Sequence, residues 1–91
     1  MKRVHVIVEG TVQGVGYRYT LQQVAERAGA TGWVRNLRDG RVEAEVEGED
    51  ATVAAVLDWM RRGPRGGAVT DMDVTDASPA GGAGFEVRRD G

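Results

Sequence analysis

Arg3-Val4-His5-Val6-Ile7-Val8-Glu9-Gly10-Thr11-Val12-Gln13-Gly14-Val15-Gly16-Tyr17-Arg18 changes its hydrophobic period part-way along, and the fold follows from where it does so. Residues 3–9 alternate, with Val4, Val6 and Val8 on one face and Arg3, His5 and Glu9 on the other, where Ile7 covers part of the surface. A side-chain period of two marks a half-buried strand. Gly10, Gly14 and Gly16 then break the pattern. From Tyr17 the spacing becomes helical, with Tyr17, Leu21, Val24, Ala25 and Ala28 on one side and Gly29 suited to close the helix. The chain therefore begins as strand, glycine-rich joint and helix.

Outward from this unit, residues 31–37 and 41–48 read as two strands joined through Asp39-Gly40, a hairpin signal because the turn needs positive φ. In the second of them Val42, Ala44 and Val46 are expected inside, and Arg41, Glu43, Glu45 and Glu47 in water. Asp50 is placed to cap a second helix with the apolar stripe Val53, Val56, Leu57 and Met60, which Gly63-Pro64 ends. A less regular strand occupies about 69–75, and beyond a loose segment at 78–84 Phe85 and Val87 mark a short last strand. The order β-α-β-β-α-β with a small extra strand predicts a ferredoxin-like α+β sandwich, two helices on one face of a four- or five-stranded antiparallel sheet. No repeat or compositional break divides residues 1–91, so a single domain is expected. This architecture hosts enzymes, regulatory modules and RNA binders, so the site has to decide the function.

Composition removes several classes. The 91 residues allow one modest core. There is no cysteine, which excludes disulfides, thiolate zinc sites and a thiol nucleophile, and His5 alone makes no histidine metal cluster. Neither a metal nor a cofactor is expected. Twelve Lys and Arg against fourteen Asp and Glu give a formal charge of -2, without the basic surplus of a phosphate-tracking nucleic-acid binder. Val6, Val8, Val42 and Ala44 offer no aromatic platform for single-stranded RNA. No apolar run approaches the roughly 20 residues that span a bilayer, and the first residues carry no signal-peptide pattern. The expectation is a soluble, cytoplasmic monomer without nucleic-acid or membrane partners.

The chemistry concentrates in the glycine joint. Glycines let main-chain N–H groups converge, and the first N–H groups of a helix have no internal partner. Together with the positive end of the helix dipole they form a concavity for an anion. Arg18, in the first helical turn, leans back over that loop, and its planar fork can grip two phosphate oxygens at once. The glycines are followed neither by the Gly-Lys-Ser/Thr of a nucleoside-triphosphate loop nor by the third glycine of a dinucleotide fingerprint. A tight strand-to-helix connection bearing a surface arginine is the plainer alternative.

A second segment, Gly32-Trp33-Val34-Arg35-Asn36, ends a strand just before the hairpin turn. Asn36 taken alone reads best as a turn-capping residue. Residues 10–18 followed by 32–36 nevertheless resemble, as a pair, the two signature motifs of the acylphosphatase family. The resemblance continues through Asp39-Gly40 and the acidic strand after it, and more weakly to Phe85-Glu86-Val87-Arg88. It implies hydrolysis of the carboxyl-phosphate bond of acyl phosphates on the fold inferred above. Arg18 matches the arginine that binds phosphate, and Asn36 the asparagine that positions the attacking water. Gln13, Gly14, Val15, Gly16 and Tyr17 match the main-chain cradle. Phosphate, the product, is then expected as a competitive inhibitor. The chain departs from the common pattern in Tyr17, where phenylalanine is frequent, and in running on through Arg89-Asp90-Gly91.

So few functional residues suffice for this substrate class. A carboxylate leaving group has a conjugate-acid pKa of about 4 and departs without a proton. Phosphoryl transfer passes through a loose transition state in which positioning and electrostatics dominate. Good orientation alone can supply roughly 7–11 kcal/mol, and each charge-assisted hydrogen bond about 1.5–3 kcal/mol.

Other signals are assigned structural roles. Asp71-Met72-Asp73-Val74-Thr75 has the Asp-x-Asp-x-Thr form of a magnesium-dependent phosphatase motif, but the chain is short and Lys2 is its only lysine, so an outward-facing strand is expected. His5 reads as a satisfied sheet histidine, Glu43, Glu45 and Glu47 as a solvated face, and Trp33 and Trp59 as packing residues. A non-catalytic module that only binds an anion is the competing function.

Overall fold

The computed structural model describes residues 1–91. Its elements are β1 (Lys2–Thr11), α1 (Tyr17–Ala28), β2 (Thr31–Asn36), β3 (Val42–Gly48), α2 (Asp50–Arg62), β4 (Ala68–Ala77) and β5 (Phe85–Val87). The five strands form one sheet in the order β4-β1-β3-β2-β5. β1, β2, β3 and β4 pair antiparallel, as the ferredoxin-like reading requires. β5 differs, because it pairs parallel to β2, placing Phe85 opposite Gly32 and Val87 opposite Val34. The sheet is therefore mixed rather than wholly antiparallel. The reason is topological: residues 78–84 carry the chain from one edge of the sheet to the other, so it arrives running in the direction of β2.

The alternation sets the core. Val4, Val6 and Val8 from β1, Val34 from β2 and Val42, Ala44 and Val46 from β3 are buried against Tyr17, Leu21 and Ala25 of α1 and Val53, Val56 and Met60 of α2. α1 ends at Gly29 as expected. Asp50, in contrast, does not cap α2. The N-cap is Glu49, without a side-chain cap bond, and Asp50 is the first helical residue. There its charge still suits the positive end of the helix.

The β2–β3 connection is longer than a two-residue turn. The Leu37 carbonyl accepts from Gly40 N–H at 3.2 Å, Leu37 N–H donates to the Arg41 carbonyl at 2.8 Å, and Gly40 takes a φ of 95°. This is a three-residue loop closed by a left-handed glycine. Asp39, not Asn36, caps it, with Oδ1 accepting from Arg41 N–H at 3.1 Å.

The helix-free face of the sheet corrects a second expectation. Glu43, Glu45 and Glu47 do not form a solvated row. Arg3, only 8% exposed, donates from Nε to Glu45 at 2.6 Å and from Nη1 to Glu47 at 3.0 Å. Glu47, 4% exposed, also accepts from the main-chain N–H groups of Ala80 at 2.7 Å and Gly81 at 3.2 Å as residues 78–84 pass over it. Glu43 is shared by His5 at 2.7 Å and Arg35 at 2.6 Å. Burial disfavours the Glu43 charge, but the bonds from His5 and Arg35 outweigh it and hold its carboxyl below the usual value. The Ala80 N–H, opposed by burial and reinforced by Arg3, does the same for Glu47. Trp33 lies on this face too, its ring centre 4.7 Å from the Arg88 guanidinium carbon and 5.5 Å from that of Arg35. Trp59 packs against the core, 5.2 Å from the Tyr17 ring. Asp71 and Asp73 are exposed on β4, as the structural reading of that segment required.

Candidate active site

The joint between β1 and α1 is held from below by Val12, 2% exposed, and by Val15 packed against the core. Gly14 and Gly16 have φ of 76° and 77°, the left-handed region that a side chain would strain. Their curl turns the chain sharply into α1. No main-chain N–H of residues 13–19 donates to a main-chain carbonyl, and the first such bond of the helix runs from Thr20 N–H to the Gly16 carbonyl at 3.1 Å. Unpaired donors at the positive end of a helix attract an anion.

Arg18 stands in the first turn of α1. Its Nη1 lies 3.3 Å from the Asp90 carboxylate and its guanidinium carbon 5.6 Å from the Tyr19 ring centre. Tyr17 turns the other way. Its ring is buried in the core and its hydroxyl donates to the Met60 carbonyl in the last turn of α2 at 2.8 Å. Burial pushes this phenol above its ordinary pKa. Tyr17 thus offers the joint its main chain while its side chain ties α1 to α2.

Asn36 is the last residue of β2 and is 7% exposed. Its Oδ1 is buried and has no hydrogen-bond partner. A buried acceptor left unmade costs about 1–3 kcal/mol, and such atoms in native structures ask for an explanation, commonly a water or ligand. Two contacts that sequence reasoning did not anticipate bind this neighbourhood together. Gln13 Nε2 donates to the Leu37 carbonyl at 2.7 Å and the Arg41 carbonyl at 3.0 Å, so the joint is fastened to the hairpin beside Asn36. The C-terminal tail continues alongside β2, with Arg88 N–H donating to Val34 and Gly91 N–H to Asn36, each at 2.8 Å. Asp90 therefore reaches Arg18 while the next residue is bonded to Asn36. No local pattern signals either contact, since both join segments distant in sequence. No group of three or more His, Cys, Asp or Glu side chains is arranged to hold a metal ion.

The acylphosphatase family model matches residues 4–87. The chain belongs to the acylphosphatase family. An acylphosphatase of Trichormus variabilis is 51% identical over 87 residues, covering 96% of this chain and 86% of its own. One of Methylococcus capsulatus is 53% identical over 81 residues, with 89% and 88% covered. Among solved structures, the acylphosphatase of Bacillus subtilis superposes with a TM-score of 0.93 at 37% identity, over 97% of this chain and 99% of its own. The acylphosphatase of Coxiella burnetii gives 0.92 at 34% identity, over 96% and 92%. These similarities extend over the whole sheet and both helices, and they make the chain a hydrolase of the acylphosphatase type.

Proposed function

We propose that this acylphosphatase works by direct attack of water on a phosphoryl group held by Arg18 and the main-chain amides of residues 13–17, with Asn36 aiming the water. Residues 1–91 act as a single domain. The water oxygen forms the new bond to phosphorus, the bond from phosphorus to the acyl oxygen breaks in line, and the carboxylate leaves with the electron pair. One proton of the water passes to a phosphate oxygen. Because the departing carboxylate needs no acid and the loose transition state needs chiefly charge and alignment, neither a metal nor a covalent intermediate is required.

The observation that carries this reading is the buried, unpartnered Oδ1 of Asn36. A carboxamide both accepts and donates, so it can orient a water without being a base. The supporting features are the main-chain N–H groups of residues 13–19, none of which donates to a main-chain carbonyl, the left-handed turns at Gly14 and Gly16, and the Arg18 guanidinium in the first turn of α1. We further propose a cytoplasmic monomer, with inorganic phosphate as competitive inhibitor of the small acyl phosphate substrate.

The test is turnover of acetyl phosphate and benzoyl phosphate in the presence of a chelator. The wild type is expected to be fully active there, and Asn36→Ala to lose roughly 10²–10³-fold in kcat, as for removal of a preorganised polar group. Near-normal turnover by Asn36→Ala would overturn the assignment.

A further inference from the structure

We propose that Gln13 is a positioning residue: its carboxamide sets the spacing between the phosphoryl-holding loop and Asn36. This rests on the roles assigned to those two elements above. Both hydrogens of the one amide group are spent on a single hairpin, at Leu37 and Arg41. One bond would leave a pivot, whereas two directional bonds to different carbonyls fix the group in its plane. The anchors are adjacent to the parts they hold. Leu37 follows Asn36 directly, and Gln13 directly precedes Gly14, where the left-handed curl begins.

The hairpin does not need these bonds in order to close. The Leu37 carbonyl already accepts from Gly40 N–H, and the Arg41 carbonyl from Leu37 N–H. Loss of the Gln13 amide therefore leaves neither carbonyl orphaned. What it removes is the link between two segments, for no other side chain of residues 12–16 hydrogen-bonds to the hairpin. Val12 and Val15 fasten the joint to the core, but apolar contacts are non-directional and neither residue bonds to the hairpin. Water and phosphorus must meet in line, and a shift of about 1 Å can cost on the order of 10²-fold in rate.

The experiment compares Gln13→Ala, Asn36→Ala and the double variant, measuring kcat on acetyl phosphate and inhibition by inorganic phosphate. Gln13→Ala is expected to lower kcat by about 10-fold or more, while the phosphate inhibition constant stays within about 3-fold, because alignment rather than anion binding is lost. In the Asn36→Ala background the same change is expected to cost less than about 2-fold, since nothing remains to be aimed. Gln13→Met, of similar length but with neither donors nor charge, is expected to behave as Gln13→Ala does, and it carries the test should the alanine variant fail to fold. Unchanged kcat in Gln13→Ala, losses that multiply in the double variant, or a phosphate constant rising in step with the loss of kcat would each overturn the proposal. If Asn36→Ala itself keeps full turnover, the underlying assignment fails instead.

Discussion

The carboxylate of Asp90 lies 3.3 Å from the guanidinium of Arg18, 72 positions earlier in the chain. The pair is largely open to water, with Asp90 65% exposed, and exposed ion pairs of this kind contribute little to stability. Its consequence is local. A carboxylate beside the guanidinium competes with a phosphoryl group for the same donors, and it offers an arriving anion like charge. Asp90→Asn is therefore expected to strengthen inhibition by inorganic phosphate several-fold at low ionic strength, with the difference shrinking as salt screens the charge. Steady-state inhibition at two salt concentrations checks this.

Arg18→Lys keeps the charge and loses the fork. A lysine cannot make paired parallel bonds to two phosphate oxygens, so the substitution is not conservative at such a site. The expected result is a fall of roughly 10²-fold or more in kcat/KM, together with weaker phosphate inhibition. Activity within a factor of two of the wild type would remove Arg18 from the mechanism.

Tyr17→Phe probes the tie between the helices. The Met60 carbonyl lies in the last turn of α2, where carbonyls have no intrahelical partner, and the Tyr17 hydroxyl is its donor. Removing that hydroxyl is expected to cost about 1–2 kcal/mol. In a domain of this size each kcal/mol corresponds to about 4–8 °C in Tm. Calorimetry on the two proteins gives the number directly.

Acid is expected to withdraw stability that the helix-free face of the sheet contributes. Glu43 and Glu47 both titrate below the usual glutamate value of 4.5 when folded. A depressed folded pKa means that the unfolded chain takes up the proton more readily. Their stabilising contribution is therefore fully present above about pH 4.5, declines below it, and is gone once pH falls below the folded values. Denaturant unfolding of the wild type between pH 7 and pH 3 is expected to show this decline, and Glu43→Gln to flatten it. An equally steep acid dependence in Glu43→Gln would assign the effect elsewhere.

Much of the architecture was legible from periodicity. The alternation of Val4, Val6 and Val8, the helical spacing from Tyr17 to Ala28 and the closing Gly29 all report how one element is solvated, and that information is local. The face opposite the valines shows where local reasoning stops. Glu43, Glu45 and Glu47 alternate as an exposed strand face would, yet Arg3, His5, Arg35 and the crossing residues 78–84 cover and pair them. A polar pattern states that water or an ionic partner is needed, and it is silent about which of the two arrives.

The site divides along the same line. Residue type within one turn of chain marked the glycine joint and Arg18 as an anion cradle, and resemblance to the family's paired motifs added Asn36. The burial of Asn36 with an unmade bond, the bracket from Gln13 to Leu37 and Arg41, the approach of Asp90 to Arg18 and the parallel seating of β5 beside β2 came only with the folded chain. All of these are meetings between segments far apart in sequence. Their partners are chosen by the sheet order and by the path of residues 78–84, which no stretch of a few residues encodes.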